Sequence, residues 1–218
     1  MNMTLSEENY IKTIYHLSLN SQAPSTNAIA ERMETKASSV SDMLRKLAEK
    51  GLIDYKKYQG VTLTSSGLHA AKMIVRKHRL WEVFLVSKLN FSWDEVHEIA
   101  EQLEHIDSEK LIERLDNFLG NPRTDPHGDP IPDAAGNIVR TSKMLLSEVD
   151  PGIESVCVGV RDSSSAFLQY LDSRNIALGT SIVVESRENF DGSLAIVAGG
   201  RPLSISNKIA ENIYVKTN

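Results

Sequence analysis

Hydrophobic residues recur every three or four positions through most of the first 50 residues, which is the spacing of amphipathic α-helices. Three runs of this kind are present. Their apolar members are Ile11, Ile14, Tyr15 and Leu17, then Ile29, Ala30 and Met33, then Val40, Met43, Leu44 and Leu47. Pro24 separates the first run from the second, and Gly51 ends the third at a position where helices favour glycine. The pattern therefore predicts three short helices.

After Gly51 the hydrophobic period changes to two. Residues 52–57 and 61–64 are predicted as β-strands, joined by a turn at Tyr58-Gln59-Gly60. Helix, helix, turn, helix and hairpin is the element order of a winged helix-turn-helix, whose last helix enters the major groove of DNA. Because one such module reads only half of an operator, this order also predicts a homodimer bound to double-stranded DNA.

The charge of the chain is unevenly distributed, although its formal net charge is only −5. Residues 36–80 hold seven lysines and three arginines against three acidic residues, which favours a polyanionic partner. The third helix, its entry and the hairpin carry the predicted DNA-contacting residues, namely Lys36, Ser38, Ser39, Ser41, Asp42, Arg45, Lys56, Lys57 and Gln59. The alternative is a small three-helix domain whose lysines only improve solubility.

The remainder of the chain divides into three parts. A long helix beginning near residue 65 has a wide apolar surface, formed by Leu68, Ala71, Ile74, Val75, Trp81, Phe84 and Leu85, and it favours a dimer interface. Residues 120–137 contain four prolines among polar residues and predict a surface linker, in which His127 is expected to be solvated. Beyond Gly152, short β-rich runs and one helical segment at residues 167–171 predict a small barrel.

Histidines and carboxylates recur at helical spacing between residues 78 and 105. His78 and Glu82 are one turn apart, and a second group, His97, Glu101, Glu104 and His105, would share roughly a 100° arc of one helix. Imidazole and carboxylate together are suitable ligands for Mn²⁺, Fe²⁺ or Zn²⁺. The single cysteine, Cys157, is outside this group and is expected to be a buried apolar side chain.

Several short segments carry a more specific signal. They are Tyr10-Ile11-Lys12-Thr13-Ile14-Tyr15, Ser38-Ser39-Val40-Ser41, Tyr55-Lys56-Lys57-Tyr58-Gln59-Gly60, Arg76-Lys77-His78-Arg79-Leu80, Glu104-His105 and Gly128-Asp129-Pro130-Ile131-Pro132. In these segments, which extend over about residues 5–135, the chain resembles the diphtheria toxin repressor and manganese transport regulator family of metal-dependent transcriptional repressors.

The resemblance implies two metal sites. Its primary site corresponds to Asn9, Glu101, Glu104 and His105, and its ancillary site corresponds to His78, Glu82 and His97. Iron-type members are similar to one another in having sulfur ligands at the positions of Asn9 and Glu101, whereas manganese-type members usually have carboxylates at the positions of Asn9 and Lys12. Oxygen ligands favour Mn²⁺ as the activating ion, with Fe²⁺ as the alternative.

The resemblance also implies a fold and a division into domains. The expected fold is mainly α, with a winged helix-turn-helix over residues 1–66, a helical metal-binding and dimerisation domain over 67–135, a linker over 136–150 and an SH3-like, FeoA-like β-barrel over 151–218. In longer members the last domain can donate a metal ligand, and Asp162, Glu185 and Glu188 are the candidates for that role. The regulated genes are expected to serve metal uptake.

Other functions are less compatible with the sequence. A metal-independent winged-helix regulator of a small organic effector would leave the histidine and carboxylate cluster unexplained. A metallohydrolase could use Glu101 or Glu104 as a base, but no substrate pocket or second acid is evident, so we expect no enzyme. The sequence has no apolar run of membrane-spanning length and no secretory leader, which predicts a cytoplasmic protein without a membrane partner.

Overall fold

The chain forms two compact units, and the computed structural model describes residues 3–20, 23–56, 59–139 and 142–217. The first unit contains the described part of Met1–His78 with Glu101–Glu109 and Pro132–Asn137. The second unit contains Arg79–Ala100, Lys110–Ile131 and the described part of Ile138–Asn218. Residues that are distant in sequence therefore come together within each unit.

The first unit contains the three predicted helices and the predicted hairpin. Helix α1 spans Leu5–Asn20, α2 spans Thr26–Arg32 and α3 spans Ala37–Glu49. Strands β1, Ile53–Lys56, and β2, Gly60–Leu63, pair in antiparallel register. Lys57 and Tyr58 of the predicted turn lie outside the described residues. The element order expected for a winged helix-turn-helix is confirmed over the residues described.

Each of these helices buries the apolar face that its periodicity predicts. Ile11 and Ile14 of α1, Ile29 of α2, and Leu44 and Leu47 of α3 are fully buried. Burying one side chain of this size contributes roughly 1.5–3 kcal/mol. The shared core therefore holds the three helices together and leaves the polar face of α3 in solvent.

Three further helices follow the hairpin: α4 at Ser65–Leu89, α5 at Val96–Leu103 and α6 at Glu109–Phe118. The start of α4 is held against the residue that precedes β1, because a Cβ atom at Gly67 would lie 1.9 Å from the carbonyl oxygen of Leu52. Only glycine permits this approach.

The second unit contains a six-stranded antiparallel sheet. In chain order the strands are β3 at Met144–Leu145, β4 at Glu154–Val160, β5 at Ser181–Arg187, β6 at Leu194–Ala198, β7 at Arg201–Ile205 and β8 at Ile213–Thr217. They pair in the order β3-β8-β4-β5-β6-β7. A 3₁₀ turn at Leu146–Glu148, helix α7 at Ser165–Asp172 and helix α8 at Asn207–Ala210 complete this part of the chain.

The sheet is open, so the prediction of a closed β-barrel is wrong. Within the described residues β3 and β7 are the two edges, and closure would require the edge strands to pair with each other. Alternating hydrophobicity identifies strands but carries no information about closure. Cys157 is buried in the core of this sheet as expected, and burial raises the pKa of its thiol to about 11.

None of the helices in the described ranges has the length and apolar character needed to cross a membrane.

Candidate metal centre and DNA interface

Glu104 is a completely buried carboxylate in the first unit. The prediction that Glu104 and His105 lie on one helix with His97 and Glu101 is wrong, because helix α5 ends at Leu103 and both residues lie in the turn that follows. One carboxylate oxygen, Oε2, lies 2.6 Å from Nδ1 of His78 on α4. We refer to Glu101, Glu104 and His105 as the primary cluster.

Helix α1 reaches the primary cluster through Lys12. The ammonium nitrogen of Lys12 lies 2.6 Å from Oε1 of Glu104 and 3.1 Å from Oε1 of Glu101. Burial alone would raise the pKa of Glu104, but the hydrogen bond with His78 and the charge of Lys12 together hold that pKa below its ordinary value. Glu104 is therefore ionised near neutral pH.

Helix α1 also reaches the cluster through Glu8. Oε2 of Glu8 lies 2.5 Å from Nδ1 of His105, while Nε2 of His105 lies 3.7 Å from Oε1 of Glu104. A carboxylate bonded to one ring nitrogen commonly fixes the orientation of a metal-ligating histidine and leaves the other nitrogen for the ion. Asn9 is half-buried on the same helix.

The donor types of the primary cluster suit a divalent cation. Oε1 of Glu104 is buried, and among the described residues no donor is aligned for a hydrogen bond with it, although the Lys12 ammonium is close. The positive charge of Lys12 compensates this oxygen. Nε2 of His105 lies 3.7 Å from this oxygen, and with Glu101 the donor types are the mixture of oxygen and nitrogen that Mn²⁺ and Fe²⁺ accept.

A second group of buried ligand-type side chains lies in the second unit. Atoms of Glu82, Asp125 and His127 lie within 4.8 Å of one another, and we call these three residues the His127 cluster. His97 approaches the same Glu82 carboxylate, with 3.5 Å between Nδ1 and Oε1, but its side chain is 59 % exposed. His78, the third predicted ancillary ligand, lies on α4 one turn before Glu82, in the first unit.

The prediction that His127 is a solvated loop residue is wrong, because His127 is buried. Its Nε2 lies 2.8 Å from the carbonyl oxygen of Trp93, and its own carbonyl accepts a hydrogen bond from the backbone N–H of Val160. Gly128 follows with φ +83°, and a Cβ there would lie 2.0 Å from the carbonyl oxygen of Val158. The proline-rich segment is therefore packed against β4.

The electrostatics of the His127 cluster reflect burial and close charges. Burial alone would lower the pKa of His127, but the Glu82 and Asp125 carboxylates and the Trp93 carbonyl raise it to about 9. Burial and the Glu82 charge raise the pKa of Asp125 to about 6, against the opposing charge of Arg79. His127 is therefore cationic near neutral pH and balances part of the buried negative charge.

The predicted DNA-contacting residues lie mainly in solvent. Lys36, Ser38, Ser39, Asp42, Arg45, Lys56 and Gln59 are exposed, and Lys57 lies outside the described residues. Ser41 is half-buried, and its hydroxyl donates to the carbonyl of Ala37 within α3. Arg45 lies 3.0 Å from Asp42 on the same face of the helix. This exposed pair is weak, so Arg45 can exchange its partner at little cost.

Family comparisons match almost the whole chain. Residues 2–61 match the N-terminal DNA binding domain of iron dependent repressors, and residues 64–133 match their metal binding and dimerisation domain. Residues 144–217 match the FeoA domain. The matched segments agree with the DNA-reading helices, the ligand-bearing helices and the open sheet described above.

Individual relatives support the same assignment. The iron-dependent repressor IdeR of Mycobacterium leprae is 30 % identical over 96 % of this chain and 96 % of that protein. The diphtheria toxin repressor of Corynebacterium diphtheriae is 26 % identical, again over 96 % of both chains. A solved structure described as a manganese-dependent transcriptional repressor in complex with manganese is 38 % identical, with a TM-score of 0.82 over 97 % of this chain and 100 % of that chain.

The raised pKa of His127 makes stability depend on pH in chelator-treated protein. The folded state holds the proton more tightly than the unfolded state, so the stabilisation is complete below the unfolded pKa of 6.5 and is lost as the pH rises through about 9. Relative to His127→Gln, we expect the wild type to lose up to about 2–3 kcal/mol of unfolding free energy between pH 7 and pH 10, measured by urea denaturation.

His97→Gln is the matched control, since His97 approaches the same Glu82 carboxylate from an exposed position. It should leave the pH dependence of the wild type intact. Parallel curves for the wild type and His127→Gln across this pH range would contradict the assigned role of His127.

Proposed function

Because the chain belongs to the diphtheria toxin repressor and manganese transport regulator family of metal-dependent transcriptional repressors, we propose that Mn²⁺ is the ion that activates it. The primary site consists of Asn9, Glu101, Glu104 and His105. One observation supports a link between this site and DNA binding: Glu101–Glu109 belongs to the same compact unit as α1, α2 and α3. An ion held there lies in the unit that carries the DNA-reading helices.

The donor atoms favour manganese over iron. Glu101 and Glu104 supply two hard, charged oxygens, His105 supplies one nitrogen, and Asn9 adds a neutral oxygen. Two carboxylates neutralise one divalent ion. The 38 % identical structure is described as manganese-dependent, whereas the 30 % identical relative is named for iron, so Fe²⁺ is the second candidate.

The primary site connects α1 to the turn after α5. When bound, the ion supplies a double positive charge between these two elements. Glu8 orients His105, and His78 holds one oxygen of Glu104. A fixed α1 limits the conformational freedom of the DNA-reading helices, which raises the affinity for an operator. By linkage, DNA raises the affinity for the ion by the same factor.

We propose an ancillary site in addition. The family resemblance assigns it to His78, Glu82 and His97. Within the second unit, which holds Glu82 and His97, the buried side chains of Asp125 and His127 are further candidate ligands. The proposal is supported by the burial of three ligand-type side chains within 4.8 Å of one another. A cation there would offset the carboxylates that raise the pKa of His127.

On DNA, the homodimer would place one α3 in each of two successive major grooves, about 34 Å apart. Lys36, Ser38, Ser39, Asp42 and Arg45 would face the groove, with Ser41 at the edge of this surface. Lys56, Lys57 and Gln59 of the hairpin would contact phosphate or the minor groove. The operator would control genes of metal uptake.

Removing a primary ligand should abolish metal-dependent DNA binding. We expect His105→Ala to fold and dimerise, because the apolar core is unchanged. It should lose at least about 90 % of the Mn²⁺-dependent gain in operator affinity, because the ion loses its one nitrogen ligand. The measurement is a titration with Mn²⁺ and Fe²⁺ in anaerobic, metal-buffered solution, on an operator selected from random duplexes. The exposed His69→Ala is the control and should respond as the wild type does.

If His105→Ala binds the operator at wild-type metal concentrations, the primary site is elsewhere. If wild-type binding needs no metal, the manganese proposal fails altogether.

The hairpin lysines should contribute affinity without sequence preference. The double variant Lys56→Ala, Lys57→Ala should weaken binding to all duplexes alike and should reduce the slope of log K against log salt by about 0.9 for each lost phosphate contact. Arg45→Ala should instead change which operator is preferred. A salt slope equal to that of the wild type would place the hairpin away from DNA.

Glu101 should determine the preference between manganese and iron. Glu101→Cys keeps a negative charge when ionised but offers a softer donor, so it should favour Fe²⁺ and Zn²⁺ over Mn²⁺ by about tenfold or more. The ratio is measured by competition titration read as operator binding. Asn9→Asp is the comparison variant and should tighten every divalent ion with little reordering. An unchanged ratio in Glu101→Cys would move metal selectivity to another site.

A further inference from the structure

The ammonium group of Lys12 lies close to both carboxylates of the primary cluster, those of Glu101 and Glu104. Its ammonium nitrogen lies 2.6 Å from Oε1 of Glu104 and 3.1 Å from Oε1 of Glu101, and its side chain is only 12 % exposed. Nε2 of His105 lies 3.7 Å from the same Glu104 oxygen. The lysine side chain therefore reaches from α1 into the group of atoms that would coordinate a metal.

The buried carboxylate of Glu104 requires a positive charge or hydrogen-bond donors close to its oxygens. Glu104 has no exposed surface, and an uncompensated buried carboxylate costs several kcal/mol. The Lys12 ammonium compensates Oε1 through a short ion pair. A divalent cation at the same oxygen would supply the same compensation.

We propose that Lys12 determines the metal affinity of the primary site, because its tethered ammonium neutralises Glu101 and Glu104 without metal and must be displaced by the incoming divalent ion. This inference rests on the proposed function in one respect, the assignment of the primary cluster as the metal site. Lys12 is not a ligand in this proposal. Its ammonium competes with the metal ion for the carboxylates of Glu101 and Glu104.

Crowding and charge repulsion require the displacement. The Lys12 ammonium lies 2.6 Å from the Glu104 oxygen that a divalent ion would bind, so a retained ammonium would hold two cations at one carboxylate oxygen. Glu101 is half exposed and offers a route by which Lys12 can turn to solvent. Because the competitor is tethered, its effective concentration is high and its effect on apparent affinity does not depend on protein concentration.

The test measures metal binding directly, without DNA. We expect Lys12→Gln to lower the dissociation constant for Mn²⁺ by about tenfold or more, measured by competition with a fluorescent chelator. Lys12→Arg keeps the charge and should stay within about threefold of the wild type.

Lys50→Gln is the matched control, since Lys50 makes an ion pair of 2.7 Å with Glu7 of α1 outside the primary cluster. It removes a lysine that is paired with the same helix, so it separates a general loss of α1 packing from a loss of competition. We expect Lys50→Gln to leave the dissociation constant for Mn²⁺ unchanged.

A dissociation constant for Lys12→Gln equal to or larger than that of the wild type would overturn the inference. Should Lys12→Gln fail to fold, the comparison of Glu101→Gln with the double variant Lys12→Gln, Glu101→Gln decides the question, because the double variant keeps the net charge of the cluster. Competition requires tighter Mn²⁺ binding by the double variant than by Glu101→Gln alone, and equal or weaker binding overturns it.

Failure of the proposed function gives a different result. If the wild type binds no divalent ion at the primary cluster, so that His105→Ala leaves the dissociation constant for Mn²⁺ unchanged, the site assignment and this inference both fail. If His105→Ala weakens Mn²⁺ binding and Lys12→Gln does not strengthen it, the metal site stands and only the inference about Lys12 fails.

Discussion

The buried carboxylate of Glu104 is the constraint that organises the first unit. A carboxylate without solvent contact must be compensated by positive charge or by hydrogen-bond donors. The structure provides His78 from α4 on one oxygen and Lys12 from α1 near the other. Three segments that are far apart in sequence must therefore pack in one arrangement for the carboxylate to be tolerated. This coupling links the site chemistry to the position of α1, and α1 shares its apolar core with the DNA-reading helix α3.

The same constraint appears in the second unit with different partners. The carboxylate of Asp125 lies 3.3 Å from Arg79, and the carboxylate of Glu82 lies near His127 and His97. Here the compensating groups come from helices α4 and α5 and from the proline-rich segment, which is itself packed on β4. Each unit is thus built around buried acidic groups, and in each unit the cationic partners come from protein side chains. A metal ion would therefore bind where protein cations already compensate much of the charge of the buried carboxylates.

Periodicity in the sequence predicts the helices and the hairpin because their buried faces repeat at a fixed spacing. It does not identify β7, since that edge strand contains Pro202 and has little alternation of buried and exposed residues. The ligand types at Glu101, Glu104 and His105 are evident from residue spacing alone. The approach of Glu8 and Lys12 to these residues is not evident from the sequence, because it depends on how α1 packs against a segment some 90 residues later. Composition gave a wrong prediction for His127. The prolines and polar residues around it indicate a solvent-exposed loop, but this segment packs against β4 and the histidine is buried.

The two carboxylates of the primary cluster differ in what a substitution at each would cost. Glu104 is buried and paired on both oxygens, so any change there alters the stability of the first unit as well as the ligand set. The Glu101 side chain is 50 % exposed, and solvent can compensate a change of charge or size. Metal preference can therefore vary at Glu101 without rearrangement of the core, whereas Glu104 is constrained by folding. This asymmetry gives a physical reason why a substitution at Glu101 could change the preferred metal while the buried Glu104 carboxylate stays in place.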